Sequence, residues 1–198
     1  MCLRARARTG ASAVVPETLG GGGASRQSEP LDAIAVAKLE LSEDPLVAGG
    51  PVAPVDFAVA GTFFLLREIE LAAARAGHVT VAADGSSATW LLPKSKTDCR
   101  AVGVSREWDC CCSVKSLQPA CPVHAIRRQL ERARTAAAVF GLPPDEIPLF
   151  FTSAGEEVGK AAAVALIVRL VGLLGKPVVG RDGCNLYGCL LYTSDAAD

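Results

Sequence analysis

Hydrophobic and polar positions along this chain switch between two periods, and the switches mark its elements. Asp32 to Leu41 spaces its apolar residues as a short amphipathic helix would, and Ser42-Glu43-Asp44-Pro45 ends the run. Gly49-Gly50-Pro51 and Pro54 read as a linker that cannot be helical. From Val55 to about Ala76 the pattern is helical, with Phe63, Leu66 and Glu70 about a turn apart and Gly77 as the closing glycine. Val79 to Ala83, the turn Asp84-Gly85-Ser86-Ser87, and Ala88 to Leu92 predict a β-hairpin. A third strand is expected over Arg100 to Arg106, after a turn at Lys94 to Asp98. Pro122, behind Cys121, suits the first position of a helix running to about Phe140, which Gly141-Leu142-Pro143-Pro144 stops. After the apolar stretch Leu149-Phe150-Phe151, a last helix is expected from Glu156 to Gly175. The order is helix, three-stranded antiparallel sheet, then helices: an α+β fold in which helix predominates.

Composition sharpens this picture at the two ends. The chain has 198 residues, enough for one compact domain, and half of them are hydrophobic. Residues 1–30 are rich in Gly, Ser, Ala and Arg, with Gly20 to Gly23 in a row, and read as a disordered leader. Residues 31–54 form a short helix and linker, and 55–188 the folded domain. The last ten residues, 189–198 (Cys-Leu-Leu-Tyr-Thr-Ser-Asp-Ala-Ala-Asp), look like a translated sequencing-library adapter, so they are set aside as a non-native tail. The longest apolar run, Ala161 to Leu174, contains Arg169 and falls short of the roughly 20 residues a bilayer requires. Arginines near the amino end are not followed by an apolar stretch, so no secretory signal is expected. An intracellular setting follows, and the eight cysteines are then free thiols or metal ligands rather than disulfides.

Net charge is −1, which argues against a globally basic nucleic-acid binder. Between Pro93 and Arg134, however, nine basic residues stand against four acidic ones, a local excess that can meet phosphates or simply be a solvated face. Two side chains carry specific chemistry. Arg67 lies beside Glu70 and an apolar row; its guanidinium can grip two phosphate oxygens in a fork, or make an ordinary helix-surface pair with Glu70. Lys96, with Lys94 competing for the role, sits between small polar residues in a turn. There it is either solvated or able to protonate a departing sugar oxygen. A third constellation is Cys110-Cys111-Cys112 with Cys121-Pro122-Val123-His124. Cys110, Cys112, Cys121 and His124 suit a tetrahedral zinc ion, the competing reading being reduced cysteines half-buried under the sheet. His78 reads as a capping or exposed residue, and Trp90 and Trp108 read as core. Few other aromatics are available to stack on single-stranded bases.

These segments resemble a family. Arg67-x-x-Glu70-Leu71 is similar to the first catalytic box of the tyrosine recombinases (phage integrases), and Lys94-Ser95-Lys96-Thr97-Asp98 looks like the lysine-bearing hairpin that follows it. Cys121 to Ile126 resembles the start of the next helix in eukaryotic mobile-element members, and Leu149-Phe150-Phe151-Thr152 the segment before the long loop. The resemblance covers roughly Val55 to Gly188. It implies a partial recombinase catalytic core, with DNA recombination and integration by phosphoryl transfer in the intact family. Arg67 and Lys96 would be catalytic, and Lys94, Lys96, Arg100, Arg127 and Arg128 would contact duplex DNA. No cofactor is required by that chemistry, zinc being an addition. The family's His-x-x-Arg box and nucleophilic tyrosine would fall after Gly188, so this chain is expected to bind DNA without cleaving it. It would be monomeric where intact relatives are multimers, and nuclear if eukaryotic. The alternative is a small zinc-binding interaction module without catalytic activity.

Overall fold

The computed structural model describes residues 31–93, 103–112 and 119–176. Among them are α1 (Ala33–Ala37), α2 (Pro54–Phe63), α3 (Glu68–Ala72), β1 (Val79–Val81), β2 (Ser87–Leu92), β3 (Val104–Asp109), α4 (Pro122–Phe140) and α5 (Lys160–Leu173). Five helices and one three-stranded antiparallel sheet, in the order β1-β2-β3, make an α+β fold. The leader at 1–30, the lysine-bearing segment 94–102 and the tail lie outside the described residues.

The helix expected over Val55–Ala76 is two helices with a sharp turn between them. At the end of α2 the Leu66 N–H donates to Gly61 O at 3.0 Å and the Leu65 N–H to Thr62 O at 3.3 Å, while Leu65 adopts φ +53°. This is the left-handed helix stop that glycine ordinarily occupies. A leucine there costs about 1 kcal/mol, and the return is visible in the core: Phe64 and Leu66 are both fully buried while Leu65 faces solvent. The 3.6-residue pattern continues through the break because both helices turn apolar faces to the same core, so sequence periodicity could not reveal it.

Gly77 is likewise not a helix stop. It sits in a 3-10 turn, Ala76–His78, where its N–H donates to Asp145 O at 3.0 Å and a Cβ would lie 3.0 Å from that same backbone. His78 does cap, its Nδ1 accepting the Arg75 N–H at 3.2 Å.

In the sheet, β2 is central and alternates as a half-buried strand should. Ala88, Trp90 and Leu92 face the core. Trp90 lies 5.3 Å from Phe64 and 6.4 Å from Phe150, and Phe150 meets Phe57 edge-on at 5.1 Å, which joins sheet, α2 and the Leu149–Phe151 stretch. Strand β3 starts later than Arg100–Arg106, because Leu92 pairs with Val104 and Ser87 with Asp109. It is an exposed edge strand, so Trp108 is not core. The residue is 40% exposed and leans edge-on against Phe63 at 5.4 Å.

Helix α4 follows its expected bounds and packs across all three strands, ending at Gly141 with φ +68°. Its buried Gln129 donates to Leu149 O at 2.8 Å, which satisfies a backbone carbonyl inside the core. Helix α5 begins at Lys160 rather than Glu156, since Glu157 pairs with Phe151 in an isolated β-bridge. Gly175 closes it with φ +67°. Among the described residues no helix is long and apolar enough to cross a membrane.

Candidate metal centre and nearby basic side chains

Strand β3 and helix α4 deliver four ligand atoms to one point. Cys110 and Cys112 follow directly on β3, Cys121 is the N-cap of α4, and His124 lies in that helix's first turn. The ligand atoms of Cys110, Cys112, Cys121 and His124 all lie within 4.8 Å of one another. His124 Nδ1 is 3.1 Å from Cys112 Sγ, 3.3 Å from Cys121 Sγ and 3.8 Å from Cys110 Sγ, and the Cys121 and Cys110 sulfurs are 3.8 Å apart. A tetrahedral zinc ion with Zn–S near 2.3 Å sets its sulfurs about 3.8 Å apart and its S···N pairs about 3.5 Å apart. The cluster therefore has the donor set and the dimensions to hold a metal ion.

The thiols are electrostatically unequal. Burial acts to raise the Cys121 thiol, but hydrogen bonds from the His124 side chain and backbone N–H, with others from Cys111 and Cys112, outweigh it and hold it down at about 6. A helix N-terminus favours a thiolate at this position for the same electrostatic reason. Cys112 is pushed up to about 12 by burial and by its hydrogen bonds with Cys121 and Cys110. Cys111, outside the set of four, is pushed up to about 11 by burial and the neighbouring Cys121.

The structure treats the expected DNA-contacting residues differently from one another. Arg67 is not within a helix: it is the N-cap of α3, extended at ψ 154°, and its N–H donates to the Glu70 carboxylate at 2.9 Å. Its guanidinium approaches Glu70 at a 3.7 Å contact, which leaves most of its five donors unused among the described residues. Lys94, Lys96 and Arg100 lie outside the described residues, as does Lys115. The antiparallel pairing of β2 with β3 makes the chain from 93 to 103 their connection.

Arg128 is not a free DNA contact. It forks onto Asp56, Nε to Oδ2 at 3.2 Å and Nη2 to Oδ1 at 2.5 Å, and Arg132 reaches the same carboxylate at 2.7 Å while also pairing with Glu43. Arg132 in turn holds the Glu43 carboxyl below its ordinary range. Arg106 donates to the carbonyls of Phe64 and Leu65. Arg127 and Arg134 remain exposed and, among the described residues, without an ion-pair partner. Of the five basic residues of this stretch that are described, Arg106, Arg128 and Arg132 are thus engaged inside the fold.

Sequence reasoning missed Asp56 and Arg106. Asp56 reads only as an acid in a helix's first turn, and its partners lie 72 and 76 residues away; Arg106 reads as one more charge in a basic run. No protein-family profile, curated protein or solved structure matches this chain.

Proposed function

We propose that this chain is the DNA-binding, amino-terminal part of a tyrosine-recombinase-type catalytic domain, and that zinc fills its Cys3His centre as a structural ion. The observation that carries the DNA reading is the Arg106 clamp. By holding the carbonyls of Phe64 and Leu65, Arg106 ties to β3 the turn that leads into Arg67. Strand β3 is itself the strand that leaves the connection carrying Lys94 and Lys96. An arginine with donors unused among the described residues, following a turn tied to the strand that comes after Lys94 and Lys96 in the chain, suits gripping a phosphodiester. In the intact family Arg67 would stabilise charge on the phosphate, and Lys96 would protonate the leaving oxygen.

Fluorescence anisotropy with a labelled duplex tests this. Binding should weaken as salt rises, with log K falling by about 0.9 per phosphate contacted for each tenfold rise in salt. Arg67→Ala and Arg127→Ala should each weaken it several-fold without changing thermal stability, whereas Arg128→Ala should lower stability first. No affinity for duplex DNA at low salt would overturn the reading.

A second reading, a small zinc-organised interaction module, has its own support. The Cys3His cluster is the most fully assembled constellation among the described residues, while Arg106, Arg128 and Arg132 are engaged internally. A zinc-loaded, folded protein that ignores duplex DNA would favour it.

A further inference from the structure

Two thiols of the Cys3His centre come from elements that the fold holds in place by means other than an ion. We infer that the centre is a redox switch: a hydroperoxide oxidant joins Cys110 to Cys121 as a disulfide, and zinc is expelled while the fold is kept. The inference rests on the zinc reading above, not on the DNA reading, and adds the regulation of that site.

Geometry sets up the pair. The Cys110 and Cys121 sulfurs stand 3.8 Å apart, so they must close by about 1.8 Å to reach disulfide length. Both backbones are anchored. The Cys110 N–H donates to Ser86 O at 2.7 Å just beyond β3, and the Cys121 carbonyl accepts the Ala125 N–H at 3.0 Å in the first turn of α4. Strand β3 is paired with β2 from Val104 to Asp109, and α4 packs on α2, where Arg128 and Arg132 hold Asp56. Neither attachment passes through the metal site, so the two sulfurs remain neighbours when an ion leaves. Cys110 is half-buried, within reach of a small oxidant, whereas Cys121 is fully buried. That difference makes Cys110 the sulfur attacked first and Cys121 the one that resolves it.

The chemistry closes in two displacements. The Cys110 thiolate attacks the peroxide: an S–O bond forms, the O–O bond breaks and hydroxide leaves, giving a sulfenic acid. The Cys121 thiolate then attacks the Cys110 sulfur: an S–S bond forms, the S–O bond breaks and a second hydroxide leaves. Together the two sulfurs lose two electrons, the peroxide gains them, and zinc keeps its oxidation state. Cys112 and His124 are then the only ligands left, two donors where a structural zinc site has four. A dithiol reductant reverses the change, its own sulfurs ending as a disulfide. Both thiolates return to the same backbone positions, and the site refills.

The experiment uses the full chain carrying Cys2→Ser, Cys99→Ser, Cys184→Ser and Cys189→Ser, so that the remaining thiols are those of the centre and Cys111. The zinc-loaded protein is treated with hydrogen peroxide. Released zinc is read with a colorimetric chelator, the linkage by tandem mass spectrometry after alkylation and digestion, and the helices by far-ultraviolet circular dichroism. One zinc per chain is expected to leave as the Cys110–Cys121 disulfide forms, with the helical signal unchanged. Dithiothreitol with added zinc is expected to restore the loaded state. Cys111→Ser, which leaves all four ligands in place, is expected to release zinc at a rate within about twofold of the parent. Four results would each overturn the switch while leaving the zinc site standing: zinc retained under excess peroxide, release through sulfinic or sulfonic acids without a disulfide, a disulfide made through Cys111 or Cys112, or helices lost with the ion. A Cys111→Ser variant that keeps its zinc under peroxide would do the same. A reduced chain that takes up no zinc would overturn the zinc reading and the switch together.

Discussion

Asp56→Ala is the sharpest probe of how α4 is held. The carboxylate is buried, with its side chain only 5% exposed, and accepts three hydrogen bonds from two guanidiniums. Removing one member of a buried pair typically costs about 3–5 kcal/mol, because the partner charge is left uncompensated. Here the figure must be reduced. The Arg128 side chain is 38% exposed and can turn to water, and Arg132, at 18%, keeps Glu43. A further few tenths of a kcal/mol come from losing the one acid in the first turn of α2. The net expectation is about 2–3 kcal/mol, which for a domain of this size lowers Tm by roughly 10 °C. Urea denaturation of the zinc-loaded protein, followed by tryptophan fluorescence, measures it directly. Asp56→Asn, which keeps the shape and loses the charge, should fall between. A double-mutant cycle with Arg128→Ala should return a coupling of at least about 0.5 kcal/mol. A loss under 1 kcal/mol for Asp56→Ala, or additive behaviour in the cycle, would show that the fork is surface decoration and would return Arg128 to the set of groups free to meet DNA.

Two further outcomes follow from backbone and protonation. Leu65 occupies a left-handed position while half exposed, so urea midpoints should rank Leu65→Asn above wild type and Leu65→Val below it, by about 0.5–1 kcal/mol in each direction; a neutral valine would refute the helix-stop geometry. Burial, reinforced by the nearby Arg75 charge, holds the His78 pKa below its ordinary 6.5, and its neutral Nδ1 accepts the Arg75 N–H. The unfolded chain therefore takes up the proton first. The stabilisation from this cap is complete above about pH 6.5 and is lost as pH falls through the lower folded value. The Tm of wild type should accordingly drop more between pH 7.5 and 5.5 than that of His78→Asn, whose amide oxygen accepts the same bond without titrating. Equal drops would sink that assignment.

The residues that announced themselves in the sequence were those whose job is local. Pro122 and Gly141 bounded α4, and the run through Ala88, Trp90 and Leu92 marked a strand with one buried face. The Cys110–Cys112 and Cys121–His124 spacings pointed to one another because a four-ligand site needs two short-range pairs, and the structure brings them within a metal's reach. Tertiary structure decided what depends on distant partners. Periodicity could not see the break at Leu65, since packing on a shared core preserves the apolar spacing across it. Nor could composition tell which arginines of the basic run stay free, because that is set by Asp56, Glu43 and two backbone carbonyls contributed from 41 to 89 residues away. A charge is written in the sequence; whether it is already neutralised is a property of the neighbours that folding supplies.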